Sequence, residues 1–501
     1  MDVRKRFEFS ALFSVLFAFA ASGYRYLSLG YSGDSTMIYE GGDWLYQISL
    51  GRFLQPLYWM LRGRIVAPFI VGLFATVFLF LSVFLISSFL HLRHLSSIAV
   101  LAAILTTNET VSLSNATYLP WTDVYALALL FACIGVMLDS TYRFGFLISP
   151  FFYACTLALY PSYITCGATL LVLLYIVRLL EGMPAGTLWK KGLLSVLSLF
   201  LGLVLYAVVL RFVLGHFGLR ASNEYNGVGR LEEITIFTFL ENLPQSYLLP
   251  LTYLFNPRNR LIIPSHQALI PAGLNLAFLL AAAALMFRPL RKMGTGARLT
   301  LLCLLAVLPF AMNFVFLISN GIINGLMIVS IYFFYLVPVI LLEQGEWNRR
   351  VLAVPVAGLF CIYLAMNVLT ANRLAMKREV EYRSTLSAFT RILSDAYEIP
   401  SYVPGETPVL ITGYLPSSRI SMVRDGLEDL NPMQGARYTY AAAYETSTKW
   451  YLRQICGSSI RFLEDIDGWG HRWGPEIENM TAYPVNGYIQ MIHGVLVIKL
   501  M

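Results

Sequence analysis

The sequence predicts a mainly α, polytopic membrane protein with a small α/β module at its C-terminal end. Three observations predict it. Of 501 residues, 57% are hydrophobic and only 13% are charged, whereas soluble domains carry roughly 25% charged residues. The mean hydropathy is +0.65. Apolar runs of spanning length recur up to about residue 370, and ordinary globular composition follows.

The N-terminus, MDVRKRFEF, is basic and leads into an apolar run to Leu29 with no small-residue cleavage site. It reads as an uncleaved first helix, with Arg25 snorkelling at its far end. About eleven spans follow this logic, near 9–30, 66–90, 95–107, 121–138, 145–159, 162–178, 193–214, 267–287, 299–318, 325–342 and 351–370. Short segments on one side hold fourteen basic residues, from Arg4, Lys5 and Arg6 to Arg349 and Arg350, while the opposite loops at 108–120, 160–161 and 319–324 hold none. The positive-inside rule then puts the N-terminus in the cytoplasm, and an odd span count puts the C-terminus outside. The expected division is a membrane domain, 1–370, with outward loops 31–65 and 215–266, and an extracytoplasmic α/β domain, 371–501.

In that last domain, 375–399 carries Leu386, Phe389, Ile392 and Leu393 at helical spacing. PVLITGYL (408–415) reads as a strand, and 488–500 as a strand pair turning near His493-Gly494. Five of the six cysteines lie in apolar runs and only Cys456 in a polar one, so neither a disulfide framework nor a metal spacing emerges. A net charge of +7 follows from the basic short loops and implies no nucleic acid.

Chemistry concentrates between the first two spans. Residues 31–64 hold three acids (Asp34, Glu40, Asp43), three arginines (Arg52, Arg62, Arg64) and many aromatics. Charge at the bilayer edge is costly and marks function. Gly41-Gly42 breaks the chain, Asp43 suits the N-cap of a helix from Trp44, and the apolar spacing predicts one or two amphipathic helices along the outer surface. A carboxylate such as Asp34 could take the proton of an attacking sugar hydroxyl, and Arg52 could neutralise a departing phosphate. Arg62 and Arg64 read as interfacial, snorkelling charges. Asp123, at the start of the fourth span, serves either as a favourable charge at a helix N-terminus or as a second carboxylate at the depth of Asp34. Tyr160-Pro161 makes an outward turn that could also touch the site. Loop 215–266, with His216, Glu224, Arg230, Arg258 and His266, reads as solvated. Asn108, Asn115 and Asn479 match a glycosylation pattern short enough to recur by chance. The lone Asp465-Ile466-Asp467 reads as surface. No metal site is assigned.

GDSTMIYEGGDWLYQISLGRFLQPLYWMLRG, YLPWTDVYALALLFA and CTLALYPSYI together resemble the bacterial Gtr-type O-antigen glucosyltransferases of serotype conversion. Asp34, Trp44 and Gly51-Arg52 match the acid after the first span, the tryptophan-rich stretch and the Gly-Arg pair. At the first site the family often has a doubled Asp, here Gly33-Asp34. The resemblance implies a GT-C-like fold in a bacterial inner membrane. It implies a polyprenyl-phosphate-linked hexose donor, a surface glycan acceptor, a partner synthase for the lipid-linked sugar and a small flippase. The resulting expectation is an inverting hexosyltransferase with Asp34 as base, Arg52 on the donor phosphate, Asp123 catalytic beside them, Glu40, Asp43 and Tyr160 as secondary candidates, and no organic cofactor. The rivals are a lipid-linked glycan flippase, which would need a polar path through the spans, and an O-antigen polymerase.

Overall fold

The computed structural model describes residues 1–30, 44–64, 66–222, 235–256, 268–319, 321, 324–344, 349–413, 415, 427, 430, 445–463 and 473–500. They form two compact units. One holds 1–27, 44–115 and 120–372; the other holds 28–30, 116–119 and 373–500.

The first unit is helical throughout. It runs α1 (Val3–Leu27), α2 (Trp44–Ser49), α3 (Leu54–Leu61), α4 (Pro68–Phe89), α5 (Leu95–Thr107), α6 (Glu109–Thr117), α7 (Thr122–Thr141), α8 (Gly145–Leu159), α9 (Ile164–Leu180), α10 (Ala185–His216), α11 (Ile236–Phe255), α12 (Leu269–Lys292), α13 (Thr295–Asn313), α14 (Leu336–Gln344) and α15 (Arg349–Tyr397). Nine described helices are long and apolar enough to cross a membrane, and Gly145–Leu159 and Val329–Gln344 are shorter apolar ones. The chain is a polytopic, mainly α membrane protein. Neighbouring helices pack in the order α5, α1, α4, α7, α8, α10, while α9 joins α13, and α13 joins α11.

Small residues set the closest approaches. A Cβ on Gly72 of α4 would lie 2.3 Å from the Tyr26 ring of α1, and one on Gly145 would lie 1.8 Å from the Leu138 carbonyl oxygen. The second clash is with backbone, which cannot swing aside. Gly145→Ala should therefore reopen the α7–α8 turn and lower the melting temperature or the yield of folded protein, at a cost of about 2 kcal/mol or more. Gly186→Ala meets nothing within 4 Å and should be neutral or slightly stabilising. Equal thermal stability of the two variants would refute this packing.

Three expectations change. The third span does not end at 107: after a kink at Asn108 it continues as α6, whose NETVSLSNAT sequence is too polar to read as membrane helix. Asn108 bridges the kink, donating to the Ile104 carbonyl and accepting from the Val111 N–H. Loop 215–266 contains a 20-residue helix, α11, started by a Thr235–Thr238 capping box and carrying Pro244 and Pro250. The last span and the helix beyond it are one 49-residue helix, α15. Asn108 and Asn115 are buried and hydrogen-bonded, so neither is a surface glycosylation acceptor.

The second unit packs the end of α15 on a four-stranded sheet, β1 (Pro408–Thr412), β2 (Arg461–Phe462), β3 (Ile489–Ile492) and β4 (Val495–Lys499), in the order β2-β1-β4-β3. Two short helices, α16 (Glu445–Trp450) and α17 (Gly474–Glu478), precede β2 and β3 respectively. β1 lies parallel to β2 and β4, and β3 lies antiparallel to β4. The β3–β4 turn places His493 at φ 49° and Gly494 at φ 81°, the two left-handed residues that a tight hairpin requires. Phe389, Ile392 and Leu393 bury against Val409, Leu496 and Ile498, with Leu386 partly buried beside them. The helix spacing seen in the sequence is therefore the core face.

Candidate functional site

The site is built from α2 and α3, the two short helices between α1 and α4. Their junction is local in origin. Gly51 takes φ 85°, its N–H donates to the Ile48 carbonyl, and the Arg52 N–H donates to the Gln47 carbonyl, at 2.8 and 2.9 Å. This is a Schellman stop, which favours glycine. One helix therefore becomes two, and Pro56 sits inside the second. Gly63-Arg64 ends α3 in the same way, with φ 80° at Gly63.

The stop is anchored to the bundle. Tyr206 of α10 donates to the Gly51 carbonyl at 2.9 Å, and its ring stacks on Phe53 at 5.8 Å. Gln55 is fully buried and donates to the Leu159 carbonyl at 2.6 Å. Half-buried Arg52 is thereby held over the Tyr160 ring, 5.0 Å from its centroid. Such a contact orients the guanidinium in a plane, and its Nη1 donates to Gln47 Oε1 at 3.5 Å. Tyr160 itself is 4% exposed. Burial pushes its phenol above the usual range, opposed by the Arg52 charge.

Tyr160 packs on Tyr125 at 4.6 Å, two residues beyond Asp123. The Asp123 carboxylate accepts from Arg62 Nη1 at 2.7 and 2.6 Å, from the Tyr58 hydroxyl at 2.8 Å and from the Val124 N–H at 3.0 Å. The same Arg62 nitrogen donates to the Pro120 carbonyl at 3.1 Å. The side chains of Arg62 and Asp123 are 1% and 0% exposed. Burial and the Asp123 charge push the Tyr58 phenol far up, so it stays a protonated donor. Trp59 against Trp121, at 5.9 Å, closes the flank.

Arg52, Tyr160 and Asp123 thus fall on one continuous wall. Arg62 does not snorkel. It turns inward because Asp123 waits there, 61 residues away in sequence. Arg25 is likewise buried, donating to the Asn115 carbonyl at 2.9 Å because α6 covers that face, whereas Arg64 is exposed. Asp34, Glu40 and Asp43 lie outside the described residues, as does the Asp465–Asp467 pair.

One acid was hidden from sequence reading. Glu109, 4% exposed, accepts from the Tyr253 hydroxyl at 2.5 Å, and Tyr253 meets the Tyr332 hydroxyl at 2.7 Å. With Asn275 and Asn367 it lines a cavity of about 20 Å³, which is the room of one water. The absence of Gly and Pro between 108 and 119 was the signal that this stretch could be helix rather than loop.

Comparison with known protein families finds a match. Residues 27–343 fit the family model described as Glucosyl transferase GtrII, which spans the whole wall described above. No curated protein and no solved structure matches the chain.

Proposed function

The chain belongs to the GtrII glucosyltransferase family, and from this membership we propose that it moves a hexose, glucose in the first instance, from a polyprenyl-phosphate carrier to a cell-surface polysaccharide such as O-antigen. The reaction takes place on the extracytoplasmic face of a bacterial inner membrane, with the N-terminus cytoplasmic and the 371–501 domain outside on the acceptor side. A synthase supplies the lipid-linked sugar and a small flippase brings it across.

The family match carries the glucosyl transfer, and the anchored α2–α3 segment supports the choice of residues. An acceptor hydroxyl oxygen attacks the anomeric carbon, the carbon–oxygen bond to phosphate breaks, and polyprenyl phosphate leaves. The hydroxyl proton passes to the Asp34 carboxylate. Arg52, oriented on Tyr160, neutralises the phosphate as its charge grows. Asp123, enclosed by Arg62 and Tyr58, acts as a positioning residue that fixes α3 and, through it, Arg52. Glu40 and Asp43 stand by as secondary acids. A single displacement inverts the anomeric configuration.

The test supplies membranes containing the protein with acceptor glycan and either a polyprenyl-phosphate-linked labelled glucose or the nucleotide-linked sugar. Label should enter the glycan only from the lipid-linked donor and with inverted configuration. Transfer from the nucleotide sugar without a lipid carrier would refute the donor. Movement or lengthening of whole glycan chains without a side-branch hexose would favour the flippase or the polymerase.

A further inference from the structure

An apolar cavity of about 490 Å³ lies between α9, α10 and α13. It follows α10 from Trp189 to Leu203, about 21 Å of helix, so its shape is that of a slot. The described lining holds no charged residue, and its polar side-chain groups are engaged by the protein. The Tyr175 and Ser195 hydroxyls meet at 2.6 Å, and Ser195 also donates to Asp139. The Trp189 indole N–H donates to the Thr300 hydroxyl at 3.2 Å, which ties α10 to α13 at one end. A polar group placed in such a slot would lose its water without gaining a partner, so the slot suits hydrocarbon.

Two features set it apart from the ordinary lipid-facing surface. Its other end reaches the Arg52 wall. Leu157, a helical turn before Tyr160, and Ile164, a turn after it, both line the slot. The intervening Leu159 carbonyl accepts from Gln55, and Tyr163 meets the Tyr160 ring at 5.6 Å. Tyr160 is the ring on which Arg52 rests. The second feature is width. Ala168, Gly192 and Ala311 stand where larger side chains would fill the slot, and a Cβ on Gly192 would come no nearer than 4.0 Å to the Tyr175 ring. Leu193, Val196 and Phe200 on the rim are exposed, so a chain can enter sideways from the bilayer without crossing water.

We infer that the slot holds the isoprenoid chain of the sugar donor, with the donor phosphate at Arg52. This rests on the polyprenyl-phosphate donor proposed above and adds where the carrier lies. Phosphate and chain are one molecule, so a phosphate at Arg52 starts its chain beside Tyr160, where the slot begins. The room beside the small residues takes the methyl branches of isoprene units, which a straight acyl chain lacks. The volume is that of a small-molecule site, enough for the units nearest the phosphate, and the rest of the chain runs out into lipid.

The experiment uses membranes containing the full-length protein and a polyprenyl phosphate, without sugar, that carries a photoreactive diazirine in the isoprene units nearest the phosphate. After illumination, adducts should map to lining residues such as Leu171, Phe200 and Phe310. Ala168→Leu/Gly192→Leu fills the slot and should lower adduct yield about tenfold at subsaturating probe. Leu197→Phe, on the exposed side of α10 and outside the lining, should leave the yield unchanged. Unlabelled polyprenyl phosphate should compete, and phosphatidylglycerol should not. Wild-type adducts confined to other helices, no loss in the double variant, an equal loss in Leu197→Phe, or competition by phosphatidylglycerol would each overturn the inference, the last by giving the slot to phospholipid acyl chains. The wild-type adduct map needs no variant to fold, and it is read without sugar transfer. Protein that transfers glucose from the lipid-linked donor yet shows no adduct in the slot sinks this inference alone. A labelled slot in protein that takes no sugar from that donor sinks the transfer reading and leaves a polyprenyl-phosphate site.

Discussion

Asp34→Asn should cut hexose transfer by about a thousandfold while leaving the protein inserted and folded. The substitution keeps shape and removes basicity, so it isolates the proton-accepting step. In the sequence Asp34 comes seven residues after Leu27, the last residue of α1, and ten before α2, whose junction with α3 is anchored to the bundle by Tyr206 and Gln55. Two comparisons locate the base. Asp43→Asn retains capping ability and should change transfer little. Glu40→Gln should also leave most activity if Asp34 is the base. The measurement is single-turnover transfer from defined donor at saturating acceptor, with protein level checked in the same membranes. A wild-type rate in Asp34→Asn, or the large loss appearing instead in Glu40→Gln, would move the base elsewhere. The pH profile adds a second readout: loss of a general base removes the acidic limb of the rate profile, whereas a merely structural defect lowers all limbs together.

What the sequence disclosed and what it concealed follow physical lines. Lipid-facing helices declare themselves, because each exposed residue must be apolar; α4, α10 and α12 are of this kind. The β3–β4 hairpin was also legible, since alternation and a His-Gly turn are local signals. Helix α6 was not, because its partners are protein rather than lipid: Ser114 pairs with Thr122, and Asn115 with Ser22 and Tyr26. Polar residues inside a bundle look in sequence like a solvated loop. Helix α11 was masked by Glu241, Asn242 and two prolines, whose cost is met by packing on α13, where Ser246 and Asn313 exchange backbone-directed hydrogen bonds. At the site, apolar spacing disclosed that 44–61 is helical, but it carried the first helix to Gln55-Pro56, whereas the break falls at Gly51-Arg52 and α3 contains Pro56. The Arg62–Asp123 pair is tertiary, and only the closing of α3 against α7 reveals it.

That pair supports the second large effect. Arg62→Met alone leaves the Asp123 carboxylate in a place with 0% exposure and only Tyr58 and one N–H to meet it. Removing one partner of such a pair costs about 3–5 kcal/mol, a large share of the stability of most domains. Arg62→Met should therefore reduce folded protein severely, and Arg62→Lys should rescue only part of it, because one ammonium cannot hold both carboxylate oxygens and the Pro120 carbonyl in the same geometry. The double variant Arg62→Met/Asp123→Leu removes both charges together and should recover most of the lost stability, since buried ion pairs are often replaceable by apolar packing. The recovered protein then separates two roles. If Asp123 works only by holding α3, and the apolar pair holds α3 as well, transfer returns along with stability. If α3 settles slightly differently, the donor KM rises with kcat less affected, because Arg52 is displaced from Tyr160. A stable double variant with unchanged KM and a kcat lowered a hundredfold or more would show instead that the Asp123 carboxylate itself reaches the reacting atoms, and the enclosed geometry would then describe a state that opens before transfer.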